Sequence, residues 1–302
     1  MSDYLVALIV GIVEGLTEFL PVSSTAHIII THKLLGIPLD DPFWKMFAVV
    51  IQLGAILSVV FYFWPRIVQF VQSFGVSLLG KQRIPYQPNA PESPLDTPET
   101  LSTAPQKPWW QHPLALVLCS FVVTAIPCFL MDKFIGENLE NPLMIAIALI
   151  VGGIAMVWID KAYANRATTE SMEQMSMTQA IFIGAAQIIA AAFPGTSRSM
   201  ATIAGGQIMG LSRPAALEFS FFLSIPVMVA ASSFKLLQYL LKSEVSIQTE
   251  QWITLGIGFI TSFFVALAVI AWFMQWVKAR GFVPFAIYRI IAGALLLFSV
   301  LS

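Results

Sequence analysis

Two stretches decide how this chain folds: Gly11-Ile-Val-Glu-Gly-Leu-Thr-Glu-Phe-Leu-Pro-Val-Ser-Ser-Thr-Ala-His27 and Gln187-Ile-Ile-Ala-Ala-Ala-Phe-Pro-Gly-Thr-Ser-Arg-Ser199. Each sets ionisable and hydroxyl side chains inside an apolar run long enough to lie in a lipid bilayer. A charge at that depth costs roughly 2.5–3.5 kcal/mol on insertion scales, so it marks a functional site by default. The two stretches are also one segment written twice. An offset of 173 pairs Ala7 with Ala180, Gly11 with Gly184, Glu14 with Gln187, Pro21 with Pro194, Ser24 with Ser197 and Ile30 with Ile203, without a gap.

The surrounding composition fits a bilayer. Of 302 residues, 57% are hydrophobic and 11% charged, and the mean hydropathy is +0.79. Soluble domains carry about 25% charged residues, so this is a polytopic membrane protein. A net charge of −1 gives no reason to expect nucleic acid as a partner. Cys119 and Cys128 share one apolar run, nine residues apart, where a helix points them in different directions. They read as two small packed thiols rather than a disulfide or a metal pair. The N-terminal Met-Ser-Asp-Tyr lacks a basic region, and the apolar run behind it holds Glu14 and Glu18. That run is expected to belong to the mature protein and not to a cleaved signal.

Apolar runs of spanning length occupy about 43–63, 112–131, 141–159, 216–240, 252–277 and 284–302. Residues 4–35 and 179–210 differ: each is long enough for two helical pieces but is interrupted by Pro with Ser, Thr or Gly around it. Broken helices at membrane depth survive only where protein or a water-filled cavity satisfies the freed backbone. Both read as re-entrant hairpins turning back near Pro21 and Pro194. The stretch 64–79 reads as a span running out into the interface. From Lys81 to Pro108 there are seven prolines among polar residues and no helical period, which reads as a solvated, disordered loop.

The expected organisation follows. A first repeat over 1–80 contains the hairpin 4–35 and the span 43–63. A Pro-rich loop fills 81–111, residues 112–160 complete the first repeat, and 178–302 form the second with hairpin 179–210 and three spans. A hairpin keeps its side of the membrane and three spans change it, so the second half enters from the opposite face. The fold class is therefore all-α integral membrane, an inverted repeat with one re-entrant hairpin plus three transmembrane helices per half, and with function at the midplane. Loops with Lys33, Lys45, Lys133, Lys235 and Lys242 lie on one side. Arg66, Lys81, Arg83, Lys107, Lys161, Arg166, Arg213, Lys278 and Arg280 lie on the other. The positive-inside rule puts the second set in the cytoplasm and both termini outside.

Glu14 and Glu18 are four apart and stack on one helical face. Such a pair shares a proton, binds a divalent cation or faces a basic partner; a neutral hydrogen-bonded core acid is the structural alternative. After Pro21, a helix beginning at Ser23-Ser-Thr25 would aim free N–H groups and hydroxyls at an oxyanion. Ser24 and His27 are three apart, which suits a hydroxyl nucleophile and its base, or else a capped helix start with His27 bonded to a carbonyl. The second copy places Gly195, Thr196, Ser197 and Ser199 around Arg198, whose planar fork matches phosphate oxygens. Structural pairing of Arg198 with Glu14 or Glu18 is the other reading. Together the two tips suit cleavage of a phosphate ester or phosphoanhydride.

Glu14-Gly-Leu-Thr-Glu-Phe-Leu-Pro-Val-Ser-Ser-Thr-Ala-His27 and Pro194-Gly-Thr-Ser-Arg-Ser-Met-Ala-Thr202 closely resemble the two signature motifs of the undecaprenyl-diphosphate phosphatase (bacitracin-resistance) family. Gln52-Leu-Gly-Ala-Ile-Leu57 and Glu218-Phe-Ser-Phe221 are similar to it as well. The resemblance covers all but 81–108. It implies a bacterial inner-membrane enzyme, opening to the periplasmic side, that removes the terminal phosphate of undecaprenyl diphosphate and confers tolerance to bacitracin. It also implies a divalent cation, Mg or Ca, held by Glu14 and Glu18. Ser24, His27, Glu14, Glu18 and Arg198 are the implied catalytic set. Ser23, Thr25, Gly195, Thr196, Ser197, Arg198, Ser199 and Thr202 are the substrate-binding set. Ala26 and Met200 stand where the family commonly has Gly.

The expected reaction is attack by Ser24 on the terminal phosphorus with His27 as base, or direct attack by water, or a covalent His intermediate. An inverted-repeat lipid-phosphate transporter or flippase is the alternative from another class. Gly11 with Gly15, and Gly206 with Gly210, are spaced for close packing within one chain or across a homodimer.

Overall fold

The structure is a computed structural model that describes residues 2–38, 40–78, 108–242 and 248–301. Twelve α-helices run through these residues: α1 (Asp3–Thr17), α2 (Ser24–Leu35), α3 (Pro42–Tyr62), α4 (Trp64–Leu78), α5 (Pro113–Leu130), α6 (Asp132–Asn138), α7 (Pro142–Tyr163), α8 (Met177–Ala192), α9 (Arg198–Ile208), α10 (Arg213–Lys242), α11 (Thr249–Arg280) and α12 (Val283–Leu301). Six are long and apolar enough to cross a membrane, namely α3, α5, α7, α10, α11 and α12. They fall on the six runs expected from sequence. The Pro-rich loop expected over 81–111 lies outside the described residues up to 107; Trp109–Gln111 forms a single helical turn.

Three membrane helices start on the same local signal, a capping side chain followed by proline. Asp41 caps α3 by accepting from Trp44 N–H at 3.1 Å. His112 caps α5 through Leu114 N–H at 3.2 Å, and Asn141 caps α7 through the N–H groups of Leu143 and Met144, both at 3.1 Å. Proline at the first helical position gives up an N–H that would be orphaned there anyway.

The packing is that of a protein with an apolar exterior. Leu118, Val122, Ile126 and Phe129 form an exposed stripe along α5, and Ile147, Val151, Ile154 and Trp158 do the same on α7. Small and hydroxylated residues lie inside, where without a hydrophobic drive helices associate through close backbone approach and hydrogen bonds. Ser120 donates to the Ala180 carbonyl at 2.6 Å and Thr124 to the Gly184 carbonyl at 2.8 Å, joining α5 to α8. Ser262 donates to the Ile51 carbonyl at 2.7 Å, joining α11 to α3.

Helices α1 and α2 fold against each other, since Val6, Ala7 and Val10 share one apolar cluster with Ile28 and Ile37. Helices α8 and α9 do likewise: the Gln179 amide near the start of α8 donates to the Met209 carbonyl just past α9, at 2.9 Å. The gapless repeat needs a correction. Ser23 and Ser197 each cap the second helix of their pair and share φ 74°. Gly36 and Gly210, each in the left-handed region, stand just beyond those two helices. Both pairs are 174 apart, so the second turn carries one residue more than the first. Arg198 is therefore the counterpart of Ser24, not of Thr25.

Candidate active site

The two turns meet inside the protein. Glu18 keeps helical geometry (φ −63°, ψ −44°) at the end of α1, so Glu14 and Glu18 stack one turn apart as their spacing requires. The chain then turns through Pro21 and Ser23 into α2. In the second turn Gly195 has φ +93°, and a Cβ there would stand 2.7 Å from the Ile145 carbonyl oxygen, so only glycine fits. Ser23 and Ser197 accept from the N–H groups of Ala26 and Met200, leaving other first-turn N–H groups unclaimed by a cap.

Glu18 is the hub. One carboxylate oxygen accepts a hydrogen bond from the Ser24 hydroxyl. The other accepts from Arg198 at 2.5 Å, with the Glu18 side chain 4% and the Arg198 side chain 31% exposed. Nucleophile candidate, carboxylate and guanidinium thus form one chain of contacts across the two turns. Ser199 fastens the turns together by donating to the Leu20 carbonyl at 3.0 Å and bonds Ser197 at 3.0 Å. Thr202 donates to the Arg198 carbonyl at 2.9 Å and lies 2.6 Å from the Ser220 hydroxyl of α10. A pocket of about 20 Å³, enough for one water, lies among Glu18, Gln187, Arg198, Thr202, Ser220 and Ser224.

Glu14 is fully buried, and among the described residues no donor lies within hydrogen-bonding geometry of either of its carboxyl oxygens. The Gln187 amide nitrogen, at the repeat-related position, is likewise buried and unpartnered. Among the described residues no group of three or more His, Cys, Asp or Glu side chains is poised for a metal. The acidic pair would need hydroxyl, amide or water oxygens to complete a coordination shell.

The hydrogen bond expected between Ser24 and His27 is not formed. His27 Nδ1 lies 2.7 Å from the Ser23 carbonyl and therefore donates to it, and Nε2 lies 2.7 Å from the Tyr288 hydroxyl. The rings of His27 and Tyr288 are stacked at 5.6 Å. Thr25 is half-buried in the first turn of α2, and Thr196 is buried.

Arg289 escaped the sequence reading. Fully buried in α12, it donates to the Pro21 carbonyl at 3.0 Å and to the Thr196 carbonyl at 2.7 Å through one nitrogen. Through the other it reaches the Gly195 and Ala148 carbonyls, both at 3.1 Å. One guanidinium so holds both turns and α7. A lone arginine inside the apolar run 284–302 was the available signal. Ser220, quoted within the Glu218–Phe221 motif but given no role there, and Ser224, which the sequence reading did not single out, lie four apart on α10 and line the pocket.

The chain matches the model of the family described as bacitracin resistance protein BacA over residues 7–295. It is similar to a protein named undecaprenyl-diphosphatase from Koribacter versatilis, at 48% identity covering 97% of this chain and 96% of the relative. Proteins of the same name from Novosphingobium aromaticivorans (40% identical, covering 98% of each chain) and Caldanaerobacter subterraneus (39%, covering 97% and 94%) are similar as well.

Proposed function

This chain belongs to the bacitracin resistance protein BacA family, and from that premise we propose that it hydrolyses undecaprenyl diphosphate to undecaprenyl phosphate and inorganic phosphate. The reaction recycles the lipid carrier of cell-wall synthesis and confers bacitracin resistance. The observation that carries the site assignment is the Ser24–Glu18–Arg198 chain of contacts linking the two turns.

In this reading the terminal phosphate lies between the turns. The Ser24 hydroxyl attacks phosphorus, its proton passing to Glu18, while the bond from phosphorus to the bridging oxygen breaks and undecaprenyl phosphate leaves. Glu18 passes that proton to the departing undecaprenyl phosphate; water then cleaves the phosphoserine, its proton going to Glu18 and on to the freed Ser24 oxygen as inorganic phosphate leaves. Glu18 replaces His27 as the base because it already accepts the Ser24 hydrogen. His27 instead holds the Ser23 carbonyl at the turn. Arg198 and the first-turn N–H groups of α2 and α9 face the charge that spreads over the phosphoryl oxygens, the main catalytic term in such transfers.

A divalent cation, Mg or Ca, fits this site. The buried oxygens of Glu14 meet no donor among the described residues, and Glu18 stands one turn away, so the pair offers oxygens to a hard cation. Glu14 and Glu18 would hold the ion, which when bound supplies charge neutralisation for the phosphates.

The architecture read here is an inverted repeat of re-entrant hairpins, α1–α2 and α8–α9. It is supported by the contact of each hairpin's entering and returning ends, by the matched left-handed serines and by the parallel packing of α8 along α5. We read both termini as lying outside the cytoplasm from the distribution of Lys and Arg between the loops, and the family resemblance implies the bacterial inner membrane with the site mouth on the periplasmic side. Phe19, Phe221, Phe63 and Phe222 meet in succession, edge-on or tilted, with ring centroids 5.4–6.0 Å apart beside the site. That aromatic wall suits a sealed reaction pocket better than a transport path.

The test is phosphate release from purified, detergent-solubilised protein given C55 and shorter prenyl diphosphates. Turnover without a membrane, a trapped phosphoserine at position 24 and its absence in Ser24→Ala are expected. Unimpaired turnover in Ser24→Ala ends the nucleophile assignment.

A further inference from the structure

The small pocket beside Glu18 lies where α8, α9 and α10 meet the end of α1, and one of its walls has no role in the reaction as described. Gln187 on α8 lines it together with Glu18, Arg198, Thr202, Ser220 and Ser224. The Gln187 residue is 3% exposed, and its amide nitrogen meets no acceptor among the described residues. A buried donor in that state bears its whole desolvation cost, so it calls for an acceptor. The backbone beneath it is fixed. Three residues earlier α8 rests directly on α5, where a Cβ on Gly184 would stand 2.6 Å from the Ser120 carbonyl oxygen, and Thr124 donates to the Gly184 carbonyl at 2.8 Å.

The facing groups are acceptors. The Thr202 hydroxyl gives its hydrogen to the Arg198 carbonyl at 2.9 Å, so in the 2.6 Å contact between Thr202 and Ser220 the donor is Ser220. Ser224 donates to the Phe221 carbonyl at 2.6 Å. Both serines have only lone pairs left to offer, as has the Glu18 carboxylate. A cation in this pocket would meet the Gln187 N–H group, and a phosphoryl oxygen would meet the serine lone pairs. A water satisfies both kinds of wall: its hydrogens go to Glu18 and to a serine, and one of its lone pairs accepts from Gln187. The volume of about 20 Å³ suits one such molecule. Held in three directions, the water keeps one lone pair free for an electrophile.

We propose that Gln187 is the positioning residue for the water that cleaves the phosphoserine, held in this pocket with Glu18 and the Ser220–Ser224 pair. The assignment rests on the two-step diphosphatase reading of the same site. In that second step the bond from the water oxygen to phosphorus forms and the bond from phosphorus to the Ser24 oxygen breaks. The water proton passes to Glu18 and on to the Ser24 oxygen. Gln187 exchanges no proton; it fixes where the attacking lone pair points before the bond forms. The first step does not use it, because there the Ser24 hydroxyl attacks. The repeat writes glutamate at the matching position, Glu14; a carboxylate at 187 would add an acceptor to this pocket and no donor.

The experiment compares the wild type, Gln187→Met and Ser24→Ala as full chains in detergent. Farnesyl diphosphate turnover is stopped in acid to count phosphoserine, farnesyl phosphate and inorganic phosphate. Separately, inorganic phosphate carrying labelled oxygen is incubated alone with each protein, and loss of the label to water reads the second step in reverse. Gln187→Met should slow steady-state phosphate release about a hundredfold, the effect of misplacing a reactant by about 1 Å. Its first turnover to farnesyl phosphate should stay within about fivefold of the wild type, so phosphoserine builds up toward one per chain. Label loss should fall by the same factor, and should vanish in Ser24→Ala. The thermal midpoint should match the wild type; should Gln187→Met unfold, Gln187→Leu carries the same expectation. Wild-type phosphate release or label loss in the variant, or a slowed first turnover without phosphoserine build-up, overturns the assignment. A wild type that releases phosphate yet yields neither phosphoserine nor label loss refutes the two-step reading, and the assignment falls with it.

Discussion

Replacing Glu18 by glutamine keeps shape and removes the charge on which Ser24 and Arg198 converge. The amide can still accept one of the two hydrogen bonds through its oxygen, but it cannot take the serine proton. Loss of a positioned general base costs 10²–10⁴ in rate. A central value of about 10³ corresponds to about 4 kcal/mol at 1.36 kcal/mol per factor of ten. The stability cost is smaller. Breaking a fully buried ion pair costs about 3–5 kcal/mol, but the Arg198 side chain is 31% exposed, so solvent screens the charge left behind and about 1–2 kcal/mol is expected. Glu18→Gln should therefore fold and be nearly inactive. The decisive assay is a double-mutant cycle in kcat with Ser24→Ala, followed by phosphate release. Residues acting as one unit are strongly non-additive, so Glu18→Gln, Ser24→Ala and the double variant should fall to about the same residual rate. Two refutations are open: Glu18→Gln retaining more than a tenth of wild-type kcat, or the two losses multiplying in the double variant.

Arg289→Met should unfold at a markedly lower temperature in detergent, by several kcal/mol of stability, because the Pro21, Gly195 and Thr196 carbonyls lose their donor in a dry interior. A wild-type thermal midpoint would contradict the bracing role. Chelator should abolish phosphate release, and added Mg or Ca should restore it. Glu14→Gln should raise the cation concentration needed for half-maximal activity by tenfold or more, with full activity in chelator as the opposing result.

The membrane helices were legible because their signals are local. The apolar runs at 43–63 and 141–159 have spanning length by themselves, and the capping pairs Asp41-Pro42 and Asn141-Pro142, which the sequence reading did not use, fix where those helices start. The two interrupted runs were equally plain, since Pro21 and Pro194 sit among hydroxyl residues where a lipid-facing helix cannot break. What helical periodicity could not supply was the partner of Ser24. His27 is its neighbour by spacing along α2, whereas Glu18 lies six residues back on another helix and reaches it only through the turn's own geometry. The extra residue of the second turn was hidden for a related reason. Identities such as Pro21 with Pro194 align without a gap, and the shift becomes visible only in the backbone angles of Ser23 and Ser197. Arg289 was missed because its partners are carbonyls, which every residue has, so nothing in the neighbouring letters announces them.

The grip of Arg289 on both turns also bears on how the protein can vary. The turn between α1 and α2 and the turn between α8 and α9 are both held by the same rigid fork, from the single helix α12. Neither loop is free to drift on its own: a lengthened or re-angled turn in one copy loosens the other. The geometry of the two turns is thus set jointly, by one side chain in a dry interior.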